Sequence, residues 1–221
     1  MSFLYRLAHL KIALRNVFRS RAGVFSNIYA KRLWRDGESF SGPGSSLEQT
    51  IILRKQLPLL LKEKNIGVVL DAPCGDLNWI SRTELGVSKY IGADIVPDLI
   101  AANRKKFASD NFRSFICLDI CEDPLPEADI IIIRDAWVHL SYAEIKRSLE
   151  NLKRSKITWL LCTHFPGRLN EEILTGNWRP LNLQAAPFHF PAPEMLINEG
   201  CTEADGRFSD KSLGLWKISD L

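Results

Sequence analysis

Asp71 and Asp94 are the residues whose type and spacing most directly imply chemistry. The first closes the run VVLD from Val68 to Asp71, and the second closes YIGAD from Tyr90 to Asp94, 23 positions later. That interval holds one strand, one turn, one helix and a second strand. A carboxylate at the tip of the second strand of such a βαβ unit can accept both hydroxyls of a ribose. Charge-assisted hydrogen bonds of this kind contribute roughly 1.5–3 kcal/mol each. Three further apolar runs end in polar residues: Asp119, the pair Arg134 and Asp135, and Thr163 with His164. One aspartate after a strand is an ordinary turn residue. A polar residue after each of five strands marks the edge of an open sheet where ligands collect.

The turn after Asp71 decides which nucleoside. It reads Ala72-Pro73-Cys74-Gly75-Asp76-Leu77. A dinucleotide site uses G-x-G-x-x-G, so that backbone amides can approach a pyrophosphate. Pro73 has no amide to offer, and Asp76 would repel a phosphate. A nucleoside carrying positive charge and no phosphate suits this turn better. S-adenosylmethionine has a sulfonium, an ammonium and a carboxylate, and acidic Asp71 and Asp76 would attract it.

The elements that must position these residues follow an α/β alternation. Strands are predicted over 66–70, 90–93, 112–118, 129–133 and 157–162, with a last one over 212–218. Most are continuous apolar runs, as strands covered on both faces require. Helices are predicted over 77–85, 97–108 and 142–154. Ser141 and Glu144 form a capping box that sets the start of the last one. Ahead of the alternation, the pattern predicts a helix over 28–34, the Gly/Ser loop SFSGPGSS over 39–46, and a helix over 47–64 interrupted near Pro58. After Cys162 the regular pattern stops. Residues 164–193 hold five prolines and four aromatics, too apolar for a linker, so this stretch reads as a packed, irregular insertion.

Charge is uneven along the 221 residues. The net charge is +3, too small to suggest a nucleic-acid partner. Yet the first 35 residues carry eight basic and no acidic side chains, while the remainder carries 21 basic against 26 acidic. Phe3, Leu7, Leu10, Leu14 and Val17 recur at helical spacing beside Lys11, Arg15 and Arg19. Such a helix would pack on the domain or lie on an anionic membrane surface through residues 1–22. Arg6, His9, Lys11 and Arg15 interrupt the apolar region a signal peptide needs. No apolar run approaches the roughly 20 residues of a membrane span. Five cysteines form no metal-ligand pattern, and their odd number fits reduced thiols in the cytoplasm, or at the inner membrane if the basic arm attaches there.

The motifs, taken in order, resemble class I S-adenosylmethionine-dependent methyltransferases from about residue 66 onward. The family's D-x-G-x-G-x-G corresponds to Asp71 through Leu77, with Pro73 and Leu77 in place of two glycines. Asp94 matches the acidic tip of the second strand, and LDI at Leu118 to Ile120 matches the segment beside the adenine. The stretch IIIIRDAWVHLS, Ile130 to Ser141, matches the fourth strand and its loop. DAPCGD, RDAWVHLS and NWRPLNLQAAPF together resemble bacterial methyltransferases found with surface-glycan genes. The resemblance implies a Rossmann-like, doubly wound, mostly parallel seven-stranded sheet with one antiparallel strand, plus N-terminal helices. With the charge split and the turn residues, the domain division expected is a basic helical arm and Gly/Ser loop over 1–45, and a methyltransferase domain over 46–221.

The cofactor residues the resemblance implies are Asp71, Cys74, Gly75, Asp94, Ile95, Asp119, Ile120 and Arg134, though Arg134 could instead pair with an acidic neighbour. With Trp34 before it, the Gly/Ser loop could fold over the cofactor. The reaction expected is O-methylation of a small molecule or glycan precursor. A hydroxyl acceptor must lose a proton, for which Asp135, His139 and His164 are candidates. In the insertion, Trp178, Arg179 and Asn182 could grip a sugar by stacking and hydrogen bonds. The other reading is a cofactor-binding protein without catalysis, attached to a membrane or partner by its basic arm.

Overall fold

The structure, a computed structural model, describes residues 20–221. The apolar and basic stripe expected over residues 3–19 lies outside the described residues. Seven strands form one sheet in the order β3-β2-β1-β4-β5-β7-β6. They are β1 (Val68–Asp71), β2 (Lys89–Asp94), β3 (Arg113–Cys117), β4 (Ile130–Ile133), β5 (Trp159–His164), β6 (Met195–Asn198) and β7 (Ser212–Lys217). The pairs among β1 to β5 are parallel, and β7 runs antiparallel to both β5 and β6. This is the mostly parallel seven-stranded sheet with one antiparallel strand that the resemblance implied.

The four isoleucines of β4 show why the sheet is buried on both faces. All four are fully buried. Ile131 and Ile133 join one core with Leu70, Leu160 and Trp216. Ile130 and Ile132 join the other core with Val69, Leu53 and Leu57. Period-two alternation sends successive side chains to opposite faces, so a continuous apolar run feeds two cores. Helix α2 (Ile51–Glu63) covers the second core and α4 (Tyr142–Arg154) the first, with α3 (Pro97–Lys106) beside β2 and β3. The Ser141–Glu144 capping box is present at the start of α4.

Several predicted elements are corrected. The helix expected over 28–34 is α1 (Arg21–Ala30), capped by Ser20, and it ends where Arg32 takes a left-handed φ of 54°. Pro58 does not interrupt α2. Four buried leucines (Leu53, Leu57, Leu60 and Leu61) bracket it, and their burial at roughly 1.5–3 kcal/mol each outweighs a proline penalty of about 3 kcal/mol. The helix expected over 77–85 is only a 3₁₀ turn, Ile80–Arg82. Leu77 sits at φ 57°, and the Arg82 guanidinium bonds the backbone and side chain of Asn78. Strand β6 was missed, being only four residues long at the sheet edge. The stretch 165–193 holds no helix or strand, as its prolines suggested. No helix among the described residues is long and apolar enough to cross a membrane.

One glycine of β7 makes a testable packing point. A Cβ on Gly214 would lie 2.2 Å from the indole of Trp216. That ring is 1% exposed, and its Nε1 donates to the Pro191 carbonyl at 2.9 Å. Gly214→Ala should therefore destabilise the protein by about 1–3 kcal/mol, the usual range for overpacking, seen as a lower urea midpoint.

Candidate functional site

The winding of the sheet reverses between β1 and β4, and the carboxyl ends of the strands open there into a cleft. Asp71, Asp94 and Asp119 line it, with Cys74, Gly75, Ile95 and Ile120. Two of these carboxylates are deeply buried. Asp71 accepts from the Tyr90 hydroxyl at 2.5 Å, and burial pushes its pKa up to about 7. Asp94 accepts from the Gly75 amide at 3.2 Å through one oxygen and from the Val96 amide at 3.0 Å through the other. Burial raises Asp94 to about 6. A carboxylate oxygen has two lone-pair directions, so each keeps capacity for a ligand hydroxyl.

The turn after β1 spends its amides inside the protein. Ala72 donates to the Ile132 carbonyl at 2.9 Å, Cys74 to the Ala93 carbonyl at 2.8 Å, and Gly75 to Asp94. Asp76 donates to the Ser41 hydroxyl at 3.3 Å, and Asn78 to the Asp76 carboxylate at 3.2 Å. Pro73 has none. A pyrophosphate cradle needs several convergent amides, and these point elsewhere. Gly75 has φ 56°, and a Cβ there would lie 2.2 Å from the Ser41 hydroxyl oxygen. Leu77, where the family motif has its last glycine, keeps a left-handed backbone.

The segment from α1 to residue 45 roofs the cleft. Asp76 holds it down: its carboxylate accepts from the Ser39 hydroxyl at 3.0 Å and the Phe40 amide at 2.8 Å. Asp76 was expected to attract a cationic ligand, and it instead anchors this loop. Phe25 meets Trp34 edge to face, Tyr29 packs on Phe40, and Trp34 stacks on His139 at 4.3 Å. Arg21, in α1, pairs with Asp119 at 3.1 Å, Glu122 at 3.0 Å and Glu144 at 3.5 Å. It had read only as part of a basic arm. Nothing local in the sequence links residue 21 to residue 119. Arg21→Ala should cut cofactor affinity about fivefold, corresponding to roughly 1 kcal/mol for a partly buried pair, and should speed proteolysis before residue 45.

On the β4 side the cleft is bounded by a buried ionic cluster. The Arg134 guanidinium grips Glu199 at 3.1 and 2.7 Å and bonds the Gly44 carbonyl of the roof at 2.7 Å. Lys211 pairs with Asp135 at 2.6 Å and lies 3.5 Å from Glu199. Burial works to raise the Asp135 pKa, but Lys211 and Arg134 hold it well below the usual carboxylate range. His139 follows, at the end of the short 3₁₀ turn Trp137–His139. Burial lowers its pKa to about 4, so the ring is neutral at pH 7. Its Nδ1 lies 2.8 Å from the Asn177 carbonyl. The proton is therefore assigned to Nδ1, which leaves Nε2 as an acceptor.

Against known proteins, no family model and no curated protein matches the chain. Solved structures do. The N-methyltransferase NodS from Bradyrhizobium japonicum WM9, in complex with S-adenosyl-L-homocysteine, aligns over 86% of this chain and 98% of its own, with TM-score 0.58 and 14% identity. The methyltransferase domain of a bacterial Hen1 aligns over 78% and 100%, with TM-score 0.56 and 14% identity. Magnesium protoporphyrin IX methyltransferase (ChlM) from Synechocystis PCC 6803, with bound S-adenosylmethionine, aligns over 71% and 82%, with TM-score 0.50 and 15% identity. This is a methyltransferase fold.

Within that methyltransferase fold, the expected site residues divide. Asp71, Cys74, Gly75, Asp94, Ile95, Asp119, Ile120, Arg134, Asp135 and His139 share the cleft. Arg134 does so with its guanidinium committed to Glu199 and Gly44. His164 is corrected: it is fully buried, its Nδ1 accepts from the Leu183 amide at 3.1 Å, and its ring packs edge-on to Trp216. Arg179 is corrected too, being fully buried with Nη1 on the Trp137 and Val138 carbonyls at 3.2 and 3.1 Å. Asn182 braces its own insertion through the Arg168 carbonyl at 2.9 Å and the Gln184 amide at 3.1 Å. Only Trp178 of the three insertion candidates borders open space, in a chamber next to the cleft. Glu199 and Lys211 were missed, because they come from the ends of β6 and β7, far along the chain.

Proposed function

We propose that this protein is an S-adenosylmethionine-dependent methyltransferase acting on an oxygen of a small molecule or saccharide. The observation that carries the reading is the turn after β1. Its amides are engaged internally while the buried carboxylate of Asp94 faces the cleft. That combination fits a ribose without a phosphate chain. The Asp94 carboxylate suits a cationic ligand, whereas Asp119 is already balanced by Arg21. Asp94 would accept the ribose hydroxyls, and Ile95, Ile120 and the backbone near Asp119 would flank the base.

Bound S-adenosylmethionine would supply its methyl carbon, to which the acceptor oxygen bonds while the carbon–sulfur bond breaks and sulfur keeps the electron pair. The protein's part is positioning, worth roughly 7–11 kcal/mol in favourable cases. The roof of Phe25, Trp34 and Phe40 would exclude water. Asp135 is a poor base, since its charge is already stabilised by Lys211. His139, with Nδ1 on the Asn177 carbonyl, would accept the acceptor hydroxyl's hydrogen bond at Nε2 and orient it, and its lowered pKa makes it an orienting group rather than a strong base. An N-terminal membrane attachment would fall to residues before 20, because Arg21 is engaged with three carboxylates.

Calorimetric titration with S-adenosylhomocysteine and, separately, NADH tests the reading. The first should bind and the second should not; the reverse result defeats it. Affinity for S-adenosylhomocysteine should fall as pH is lowered through about 6. Asp94 becomes protonated there and each proton gained removes an acceptor. An affinity flat from pH 5 to 8 would contradict the assignment of Asp94.

A further inference from the structure

Beyond the Trp34–His139 stack lies a second chamber that the cofactor reading leaves vacant. It shares Trp34, Asp135 and His139 with the cleft. Its free volume is about 550 Å³, within the roughly 300–1,000 Å³ of small-molecule sites. Phe165, Trp178 and Phe208 meet edge to face along one side, with ring centroids 4.7 to 6.2 Å apart. Glu203 also lines it.

Arg35 and Asp36 line the chamber and offset each other in number, so the balance turns on the groups at its inner end. Two cations, Arg134 and Lys211, serve Glu199 and Asp135. Glu203 is a third carboxylate, and among the described residues it joins no ion pair. Among the described residues, the hydrogen-bonding neighbour of its carboxylate is the weak thiol donor of Cys201 at 3.9 Å. Burial and the nearby carboxylates of Asp135 and Glu199 raise its pKa despite Lys211 and Arg134. A half-buried carboxylate short of a cation is stabilised by a ligand that brings one. Aromatic faces attract the same cation by roughly 0.5–2 kcal/mol.

Resting on the cofactor reading, we propose that this chamber receives the methyl acceptor, and that the acceptor is a ring-bearing amine. The ring lies against Trp178 and the protonated amine meets Glu203. The group to be methylated then projects past His139 into the cleft. Phosphorylated or carboxylated compounds are disfavoured, because the lining holds the carboxylates Asp36, Asp135 and Glu203 against the cations Arg35 and Lys211.

Titration calorimetry of the full chain with phenethylamine, phenethyl alcohol and 3-phenylpropionate tests the proposal, with S-adenosylhomocysteine titrated in parallel. Phenethylamine should bind tightest and 3-phenylpropionate weakest. Glu203→Gln should weaken the amine about tenfold, the loss of one charge-assisted hydrogen bond, while sparing the alcohol and S-adenosylhomocysteine. Trp178→Ala should weaken amine and alcohol alike. The proposal is overturned if 3-phenylpropionate binds as well as the amine, or if Glu203→Gln leaves amine affinity unchanged. If the amine depends on Glu203 but S-adenosylhomocysteine does not bind, the amine preference stands and the acceptor role is lost with the cofactor reading.

Discussion

Alanine at position 94 is expected to weaken S-adenosylhomocysteine binding by about 100-fold or more. Two charge-assisted hydrogen bonds to a ribose, at roughly 1.5–3 kcal/mol each, amount to about 3–6 kcal/mol. Tenfold in affinity corresponds to about 1.4 kcal/mol. Asp94 also ties the Gly75 and Val96 amides, so its removal frees the turn that shapes the cleft. Asp94→Asn separates the two contributions. An amide keeps one acceptor and turns a donor toward one of those two N–H groups, so affinity should fall by about 10-fold to 100-fold. Calorimetry gives the affinities, and thermal unfolding without ligand reports the damage to the turn. An alanine variant that is stable and binds as tightly as the parent would remove Asp94 from the ligand site.

Arg134 should carry the largest single-residue effect on stability. It is buried against Glu199, with side-chain exposures of 5% and 1%. Breaking a buried pair by deleting one partner costs about 3–5 kcal/mol, because a charge is left unpaired in a poor solvent for it. The asymmetry of the cluster predicts an order. Without Arg134, only Lys211 remains to balance Asp135, Glu199 and Glu203. Without Glu199, Arg134 still has Asp135 at 3.4 Å, and the cations match the carboxylates in number. Arg134→Met should therefore destabilise more than Glu199→Gln. The double change Arg134→Met with Glu199→Met should recover much of the loss, since it strands neither of the two partners. Urea unfolding at pH 7 measures all three. Single variants within about 0.5 kcal/mol of the parent would contradict a stabilising pair, a range expected of exposed residues. Arg134→Met also releases the Gly44 carbonyl, so cofactor affinity should drop alongside stability.

Local chemistry explains what could be read from the chain alone. Apolar runs too continuous for a solvated strand announced a sheet buried on both faces, and β4 bears this out in its two cores. Polar residues at the ends of those runs fall on one edge because parallel strands all end on the same side. The Ser141–Glu144 box and the proline-rich stretch after Cys162 involve partners only a few residues apart. Leu77 shows a local limit: its left-handed backbone lies where the helix over 77–85 is predicted to begin.

What the sequence by itself determined, then, is the alternation of strands and helices and the set of residues delivered to the ligand-facing edge. The tertiary structure alone decided which of them reach open space. His164 and Arg179 carry chemically capable groups, yet the insertion folds back and buries both. Arg21, Glu199 and Lys211 enter the story only because α1 crosses to Asp119 and because β7 and β6 extend the sheet beyond β5. Those partners lie 65 to 98 positions apart. Spacing patterns report on neighbours one turn or one pleat away, whereas pairing between distant charges follows from strand order, which is settled by how the whole sheet buries its two faces.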